Sequence, residues 1–360
     1  MKVAVLVSGG VDSSVALALL KRQGYDVTAF YLKIWLEDEL SYLGHCPWQE
    51  DLSYIQHVCD TLDVPLQVVP LQREYWDNVV TYALDQIKAG YTPNPDIFCN
   101  KLVKFGVFLT YLDAQHKGQF DYIASGHYAR VEHTPTGSYL HRAPDEIKDQ
   151  TYFLAYITQN QLQRILFPLG DMDKAQVRQL ASDFDLPNKN RKDSQGICFL
   201  GKLRFKDFIA HHLGEKPGNL IEFETGAILG THLGFWFFTI GQRQGSGLAG
   251  GPWYVVQKDI NQNMVYVSRD YYAPEKERCL FEVDQCNWFS GSAPLKKDLQ
   301  VKIRHGKTIY PCEIVFSADG VIRVRLTERD QGIAPGQFAV FYDGTCCLGA
   351  GIITRALDGE

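Results

Sequence analysis

Apolar residues in the first half of the chain come in short runs, and each run is followed by a longer amphipathic stretch. Lys2–Val7, Val27–Leu32, Pro65–Val69 and Tyr122–Ser125 are rich in Val, Ala, Leu and Ile, as strands buried on both faces are. Between them, Val11–Gln23, Asp51–Leu62, Trp76–Lys88 and Lys101–His116 repeat apolar residues at helical spacing. This alternation predicts an α/β fold, a doubly wound parallel sheet reaching to about residue 210, with further helices at Asp173–Phe184 and Arg204–His212. Such sheets bind ligands beyond the carboxyl ends of their strands.

After His212 glycines multiply and the apolar runs shorten. Leu280–Val283, Leu299–Ile303, Pro311–Phe316, Val321–Leu326 and Gln337–Tyr342 read as strands between turns. Three domains are expected: 1–210, a small β-rich central unit over 211–276, and a C-terminal β-barrel over 277–360. No internal repeat is evident.

The composition, 45% apolar and 22% charged over 360 residues, is that of a soluble globular protein. No apolar run is long enough to span a membrane, and the N-terminus reads as a first strand rather than a signal peptide, so a cytoplasmic location is expected. Nine cysteines without a C-x-x-C pair argue against a structural zinc site and for reduced thiols. The net charge of −6 argues against binding nucleic acid over the whole surface. It leaves room for local basic segments at 188–193 (NKNRKD), 202–206 (KLRFK) and 302–307 (KIRHGK).

The stretch VLVSGGVDSS, Val5 to Ser14, places two glycines and three serines between a buried strand and a helix. Gly9 and Gly10 allow close approach and positive φ, and the helix start offers unsatisfied N–H groups and a favourable dipole to an anion. The plainer reading is a tight turn capped by Asp12 or Ser13. A Walker A lysine and a G-x-G-x-x-G are both missing. S-G-G-x-D-S resembles instead the signature of the pyrophosphate-loop ATPases, which cleave ATP between the α and β phosphates and leave AMP on a substrate oxygen. That resemblance implies ATP contacts at Leu6, Val7, Ser8, Gly9, Gly10, Val11, Asp12 and Ser13, with a backbone contact at Leu32 and another at Gly126. It also implies that Asp12 helps to organise Mg²⁺.

Two cysteines have marked surroundings. Cys99 follows the turn Asn94-Pro95-Asp96 and opens a helical stretch with Lys101 and Lys104, where a thiol pKa is expected to fall. Cys198 lies in the polar segment KDSQGICFLG. Cys59, Cys279 and Cys286 read as buried inert thiols, and Cys46 as incidental.

The motifs SGGVDSS, WDNV, AGYTPNPDIFCNK, DYIASGHYAR, KDQTYFL, KDSQGICF, TIGQRQG, PWYVV, APGQFAVFYDG and LGAGII occur in this order. Together they resemble the bacterial-type tRNA-specific 2-thiouridylases, over residues 2 to 353. The resemblance implies a tRNA-uridine 2-sulfurtransferase in which the C2 oxygen of the wobble uridine is adenylated by ATP. Cys198 then carries a persulfide from an upstream sulfur carrier or cysteine desulfurase relay. Cys99 attacks it, leaving a Cys99–Cys198 disulfide; direct attack by the persulfide is equally compatible. Asp96 is the implied acid/base. Implied tRNA contacts are Asn94, Pro95 and Asp96 at the base, and His127, Lys148, Asp149, Gln150, Arg304, His305 and Gln337, with Lys302 and Lys307 near phosphate. A monomer is expected.

Blander readings stand beside these: Asp96 as a turn residue, His127 as a core histidine, and KIRHGK as an exposed strand edge blunted by charge. A ligase acting on a small molecule, or a non-catalytic tRNA-binding protein, are the competing functions.

Overall fold

The computed structural model describes residues 1–34, 48–192, 205–273, 278–316 and 321–357. Its first seven strands are β1 (Lys2–Leu6), β2 (Asp26–Lys33), β3 (Leu66–Pro70), β4 (Tyr122–Ala124), the hairpin β5 (Ala129–Thr134) and β6 (Gly137–Arg142), and β7 (Ile165–Leu166). Five of them form an all-parallel sheet in the order β3-β2-β1-β4-β7. Both faces are covered, and β1 shows why its sequence is apolar throughout. Val3, Val5 and Val7 enter one core, with helices α1 (Val11–Arg22) and α2 (Trp48–Leu62); Ala4 and Leu6 enter the other. On that second face Phe30 meets Phe108 and Phe120 edge-on at 5.1 and 5.4 Å.

The second face is roofed by two long helical segments, 72–88 and 95–115. Each contains a π-helical stretch, Trp76–Val80 and Cys99–Val107. The latter helix starts at Pro95, several residues before the expected Lys101. Proline suits the first helical position because its missing N–H is not needed there.

The middle unit is a four-stranded sheet of β8 (Gly218–Glu222), β9 (Ile228–His232), β10 (Tyr254–Asp259) and β11 (Met264–Ser268), ordered β10-β11-β8-β9. The barrel follows with β12 (Arg278–Trp288), β13 (Asp298–Lys302), β14 (Tyr310–Phe316), β15 (Ile322–Asp330), β16 (Phe338–Asp343) and β17 (Cys346–Leu357). Its order is β12-β15-β14-β13-β16-β17, and pairing of β12 with β17 closes it. The expected barrel is therefore present, but its twelve-residue last strand was not foreseen. Gly349 and Gly351 make it read as a loop. They sit where any side chain would strike Asn287 and Cys286 of β12, so closure itself requires them.

The barrel is not a separate bead. β17 also pairs with β6, so the β5–β6 hairpin of the N-terminal region extends the barrel's sheet. Behind this seam lies an ion pair with no solvent exposure: Lys302 Nζ donates to Asp149 Oδ2 at 2.8 Å. Asp149 also accepts from Thr151 Oγ1 at 2.9 Å, and Thr151 Oγ1 lies 3.1 Å from Tyr342 Oη. Arg142 Nε also stands 3.8 Å from Asp149 Oδ2, so losing Lys302 weakens the compensation of that carboxylate without abolishing it. Lys302→Met is therefore expected to lower the urea-unfolding free energy by less than the roughly 3–5 kcal/mol that a fully stranded buried charge costs. Adding Asp149→Asn to it is expected to restore part of the loss; strictly additive effects of the two changes would contradict the pairing.

Candidate nucleotide and thiol site

Four residues turn the chain between β1 and α1. Buried Leu6, Val7 and Val11 fix both ends, and the Val7 N–H donates to the Phe30 carbonyl at 2.9 Å. Gly9 has φ +77°, and a Cβ there would lie 2.7 Å from Arg191 Nη1 and 2.9 Å from the Asp51 carbonyl. Gly10 is the N-cap of α1 and no side chain caps it, so the plainer reading of a turn capped by Asp12 or Ser13 does not hold. The Ser13 and Ser14 hydroxyls donate back to the Gly10 carbonyl at 3.0 and 3.1 Å, and the Ser8 N–H donates to Ser13 Oγ at 3.2 Å. The hydroxyls brace the loop, while the helix start keeps its affinity for an anion.

Asp12 accepts two bonds on Oδ1, from Tyr128 Oη at 2.9 Å and from Lys174 Nζ at 2.7 Å. Gly126, just after β4, packs on the same loop: a Cβ would come within 2.7 Å of the Ser13 nitrogen. β1 and β4 are the neighbours at which strand order reverses, so the loop lies at the sheet's switch point. Leu32 ends the adjacent β2, packed against the core.

Five further residues hold this loop, and of these Lys174 and Arg178 belong to no motif that the sequence singles out. Besides Tyr128 and Lys174, Asn188 donates to the Gly9 carbonyl at 2.8 Å and to Ser14 Oγ at 2.9 Å. Arg191 pairs with Asp51, and burial outweighs that cation to hold the Asp51 carboxyl above its ordinary range. Arg178 fixes the segment by donating to the carbonyls of Lys189 and Arg191. Asn188 and Arg191 of the basic run are thus folded against the loop, while Lys189 pairs with exposed Asp185, and Asn190 and Lys192 are exposed.

Cys99 is 1% exposed. Because its helix begins at Pro95, Asp96 occupies the first turn and Cys99 lies a turn further in, contrary to the expected helix-start thiol. Lys101 Nζ stands 3.8 Å over the Tyr156 ring, and burial lowers its pKa. Asn94 Oδ1 is buried with no hydrogen-bond partner among the described residues. The barrel holds this loop: the Thr92 N–H donates to the Pro335 carbonyl, and Gln337 Nε2 donates to the Thr92 carbonyl, both at 2.8 Å.

Cys198 lies outside the described residues, but its two flanks do not. Arg191 sits on the glycine loop. Phe205, with Thr92, Pro93, Pro95, Phe208 and Ile209, lines a cavity of about 160 Å³ beside the Cys99 loop. The described flanks thus lie at the glycine loop (Arg191) and beside the Cys99 loop (Phe205).

The residues expected to meet RNA are dispersed in role. Lys148 sits at a turn, its N–H donating to Asp145. Gln150 Oε1 accepts from the Tyr128 N–H at 3.0 Å. Asp149 faces inward, and Lys302, expected beside phosphate, is its buried partner. The 302–307 run is not a strand edge either: Lys302 ends β13, which lies between β14 and β16, and residues 303–307 form a bend after it, exposed at Arg304, His305 and Lys307. Arg304 makes a bidentate pair with Asp330 at 2.8 and 2.6 Å. His305 packs on Phe153 at 4.5 Å, and burial lowers its pKa. His127 has Nδ1 2.8 Å from Ser125 Oγ and clusters with the rings of Phe105 and Phe167 at 6.2 and 5.9 Å; burial and Lys104 push its pKa well below 6.5, so the imidazole is neutral.

These contacts join into one path. Asp12 is bonded to Tyr128, Tyr128 to Gln150, and two residues on Tyr152 Oη donates to Gln337 Oε1 at 3.3 Å, with Gln337 reaching Thr92. Elsewhere burial pushes Cys59, Cys286 and Cys312 up to about 12, leaving them protonated and inert at neutral pH. No group of three or more metal-ligating side chains occurs among the described residues. No helix among them is long and apolar enough to cross a membrane.

Three family models match in succession: a tRNA methyl transferase HUP domain over residues 1–202, a tRNA methyl transferase PRC-barrel domain over 206–269, and an aminomethyltransferase beta-barrel domain over 278–353. The tRNA-specific 2-thiouridylase MnmA 1 of Bacteroides thetaiotaomicron is 45% identical over 99% of this chain and 100% of its own. The tRNA-specific 2-thiouridylase MnmA of Porphyromonas gingivalis (strain ATCC 33277) is 44% identical over 99% of each. A solved 4-thiouridine synthetase–RNA complex with bound ATP is 16% identical over 56% of this chain and 46% of that one, with a TM-score of 0.35, too low to carry any argument. On the full-length relatives, this chain belongs to the tRNA-specific 2-thiouridylase family.

Proposed function

We infer that the chain is a tRNA-uridine 2-sulfurtransferase that uses ATP to exchange the C2 oxygen of the wobble uridine for sulfur. One observation supports this above others: an uncapped, glycine-lined helix start is wired through Tyr128, Gln150 and Gln337 to the loop before Cys99. Both features lie in a chain that matches 2-thiouridylases along its whole length.

A uracil carbonyl is a poor electrophile, and its oxygen is a poor leaving group. The C2 oxygen attacks the α-phosphorus of ATP and pyrophosphate departs into the loop at Gly9–Ser13, where the α1 dipole and backbone N–H groups receive it. The oxygen then leaves as AMP. A Mg²⁺ brought with ATP would be held at Asp12 and would supply neutralisation of phosphate charge. Asp12 suits it, because both of its protein bonds fall on Oδ1.

Sulfur comes from a Cys198 persulfide loaded by a carrier or desulfurase relay. In one route the Cys99 thiolate attacks Cys198 Sγ, a Cys99–Cys198 disulfide forms, and hydrosulfide is expelled to attack C2. In the other the terminal persulfide sulfur attacks C2 first, and Cys99 then resolves the adduct to the same disulfide. Either way a dithiol reductant resets the enzyme by exchange. A disulfide needs the two Cα atoms within roughly 7 Å, and the place of Phe205 in the cavity beside the Cys99 loop favours such an approach. Asp96, in the first turn beside the target, is the proton carrier. Asn94, Pro95 and neutral His127 contact the base or its loop, and Lys148, Gln150, Arg304, His305 and Gln337 orient the tRNA. Asp149 positions them through Lys302. The chain works as a monomer in the reducing cytoplasm.

Gly126→Ala drives a methyl group into the Asp12–Ser13 backbone. Overpacking costs about 1–3 kcal/mol, so calorimetry is expected to show ATP binding weakened by roughly tenfold or more, and unchanged affinity would place the nucleotide elsewhere. Incubation with tRNA, ATP and a sulfur donor is expected to put one sulfur in place of one oxygen at the wobble uridine, seen by mass spectrometry of digested nucleosides. Cys99→Ser and Cys198→Ser are each expected to abolish that product. Full turnover by Cys198→Ser would instead favour a ligase with incidental cysteines.

A further inference from the structure

The middle unit takes no part in the chemistry above, yet it carries an aromatic cluster at its border with the barrel. Tyr254, on β10, and Tyr271 stack nearly face to face, with ring centroids 4.8 Å apart at 18°. Tyr272 stands edge-on to both, at 6.3 and 5.3 Å, and is 69% exposed. These rings are not the unit's core, which is built from Leu220, Phe235, Phe238, Trp253, Val255, Val265 and Val267. Apolar burial therefore does not account for Tyr272.

The surroundings hold a fixed ion pair. Arg304 of the barrel lies close enough to act, together with Asp330, on the Tyr271 hydroxyl. Its bidentate pair with Asp330 holds the guanidinium plane while about half the side chain stays exposed. From the other side, Gly241 leaves room for the Tyr271 hydroxyl, since a Cβ there would lie 2.9 Å from it. The glycine-rich turn bearing exposed Arg243 thus abuts the same cluster.

Resting on the reading of the substrate as tRNA, we propose that Tyr254, Tyr271 and Tyr272 form a stacking platform for an unpaired nucleobase of that RNA, with Arg243 and Arg304 supplying the charge beside it. Rings already fixed against one another lose little freedom when a further ring is added. Aromatic faces accept any base, whereas a duplex hides its base faces inside the stack. The platform gives an acidic chain local affinity for single-stranded RNA without a broad basic surface.

The test is the affinity of the full-length chain for a fluorescein-labelled anticodon stem–loop RNA, read by anisotropy. Tyr272→Ala is expected to weaken binding by about five- to a hundredfold, with an unchanged unfolding midpoint, while Tyr272→Phe and Tyr272→Trp retain it. Equal binding by Tyr272→Ala overturns the platform. So does equal loss in Tyr272→Phe, which would mean a hydroxyl contact and not stacking. Dissociation of a wild-type dimer by Tyr272→Ala, with RNA binding intact, would assign the patch to a second copy and also overturn it. Wild-type chain that thiolates tRNA with a KM matched by Tyr272→Ala defeats the platform alone, whereas wild-type chain that thiolates nothing defeats the substrate reading.

Discussion

A carboxylate taken out of solvent needs cations placed against it, and the docking of the barrel depends on one such group, Asp149, which Lys302 meets at 2.8 Å and Arg142 at 3.8 Å. Asp149 and Lys302 meet across the seam where the β5–β6 hairpin joins β17. The segment holding Asp149 is short and doubly committed. Gln150 grips Tyr128, whose hydroxyl reaches Asp12 in the glycine loop, while Tyr152 grips Gln337, whose amide reaches the loop before Cys99. If the pair were misplaced, the anion-binding helix start and the buried thiol would lose their common frame. Burying charge there is costly; in return the geometry between two distant loops is unique.

Much of this was legible in the order of residues. Strands buried on both faces announce themselves, because Val3, Val5 and Val7 must be as apolar as Ala4 and Leu6. The glycine loop was legible for the same reason that it works, since few sequences place Gly-Gly and three serines between a strand and a helix. β17 was hidden by the glycines that its closure against β12 demands. The helix start at Pro95 was masked by its own turn-like residues, Asn94-Pro95-Asp96, and this moved Cys99 from the helix start into its body.

The site's supporting residues were not legible. Tyr128, Lys174 and Asn188 reach the loop from 116, 162 and 179 residues away, and nothing local shows that they do. Lys302 shows how charge misleads. In the string KIRHGK it reads as surface, yet the strand's alternation and position between β14 and β16 turn it inward to Asp149. The basic run at 188–191 misleads in the same way: Asn188 and Arg191 serve the loop and not a remote phosphate. A net charge of −6 is therefore compatible with RNA as substrate only through a few placed contacts.

The account turns on two thiols converging where an oxygen has been activated. The measurement closest to that claim is peptide mapping of the enzyme after a single turnover with persulfide-loaded chain, tRNA and ATP, quenched without reductant. The account predicts a disulfide-linked peptide pair containing Cys99 and Cys198, in amount equal to the 2-thiouridine formed and absent when ATP is withheld. Sulfur transfer that leaves both thiols open to alkylation would contradict it.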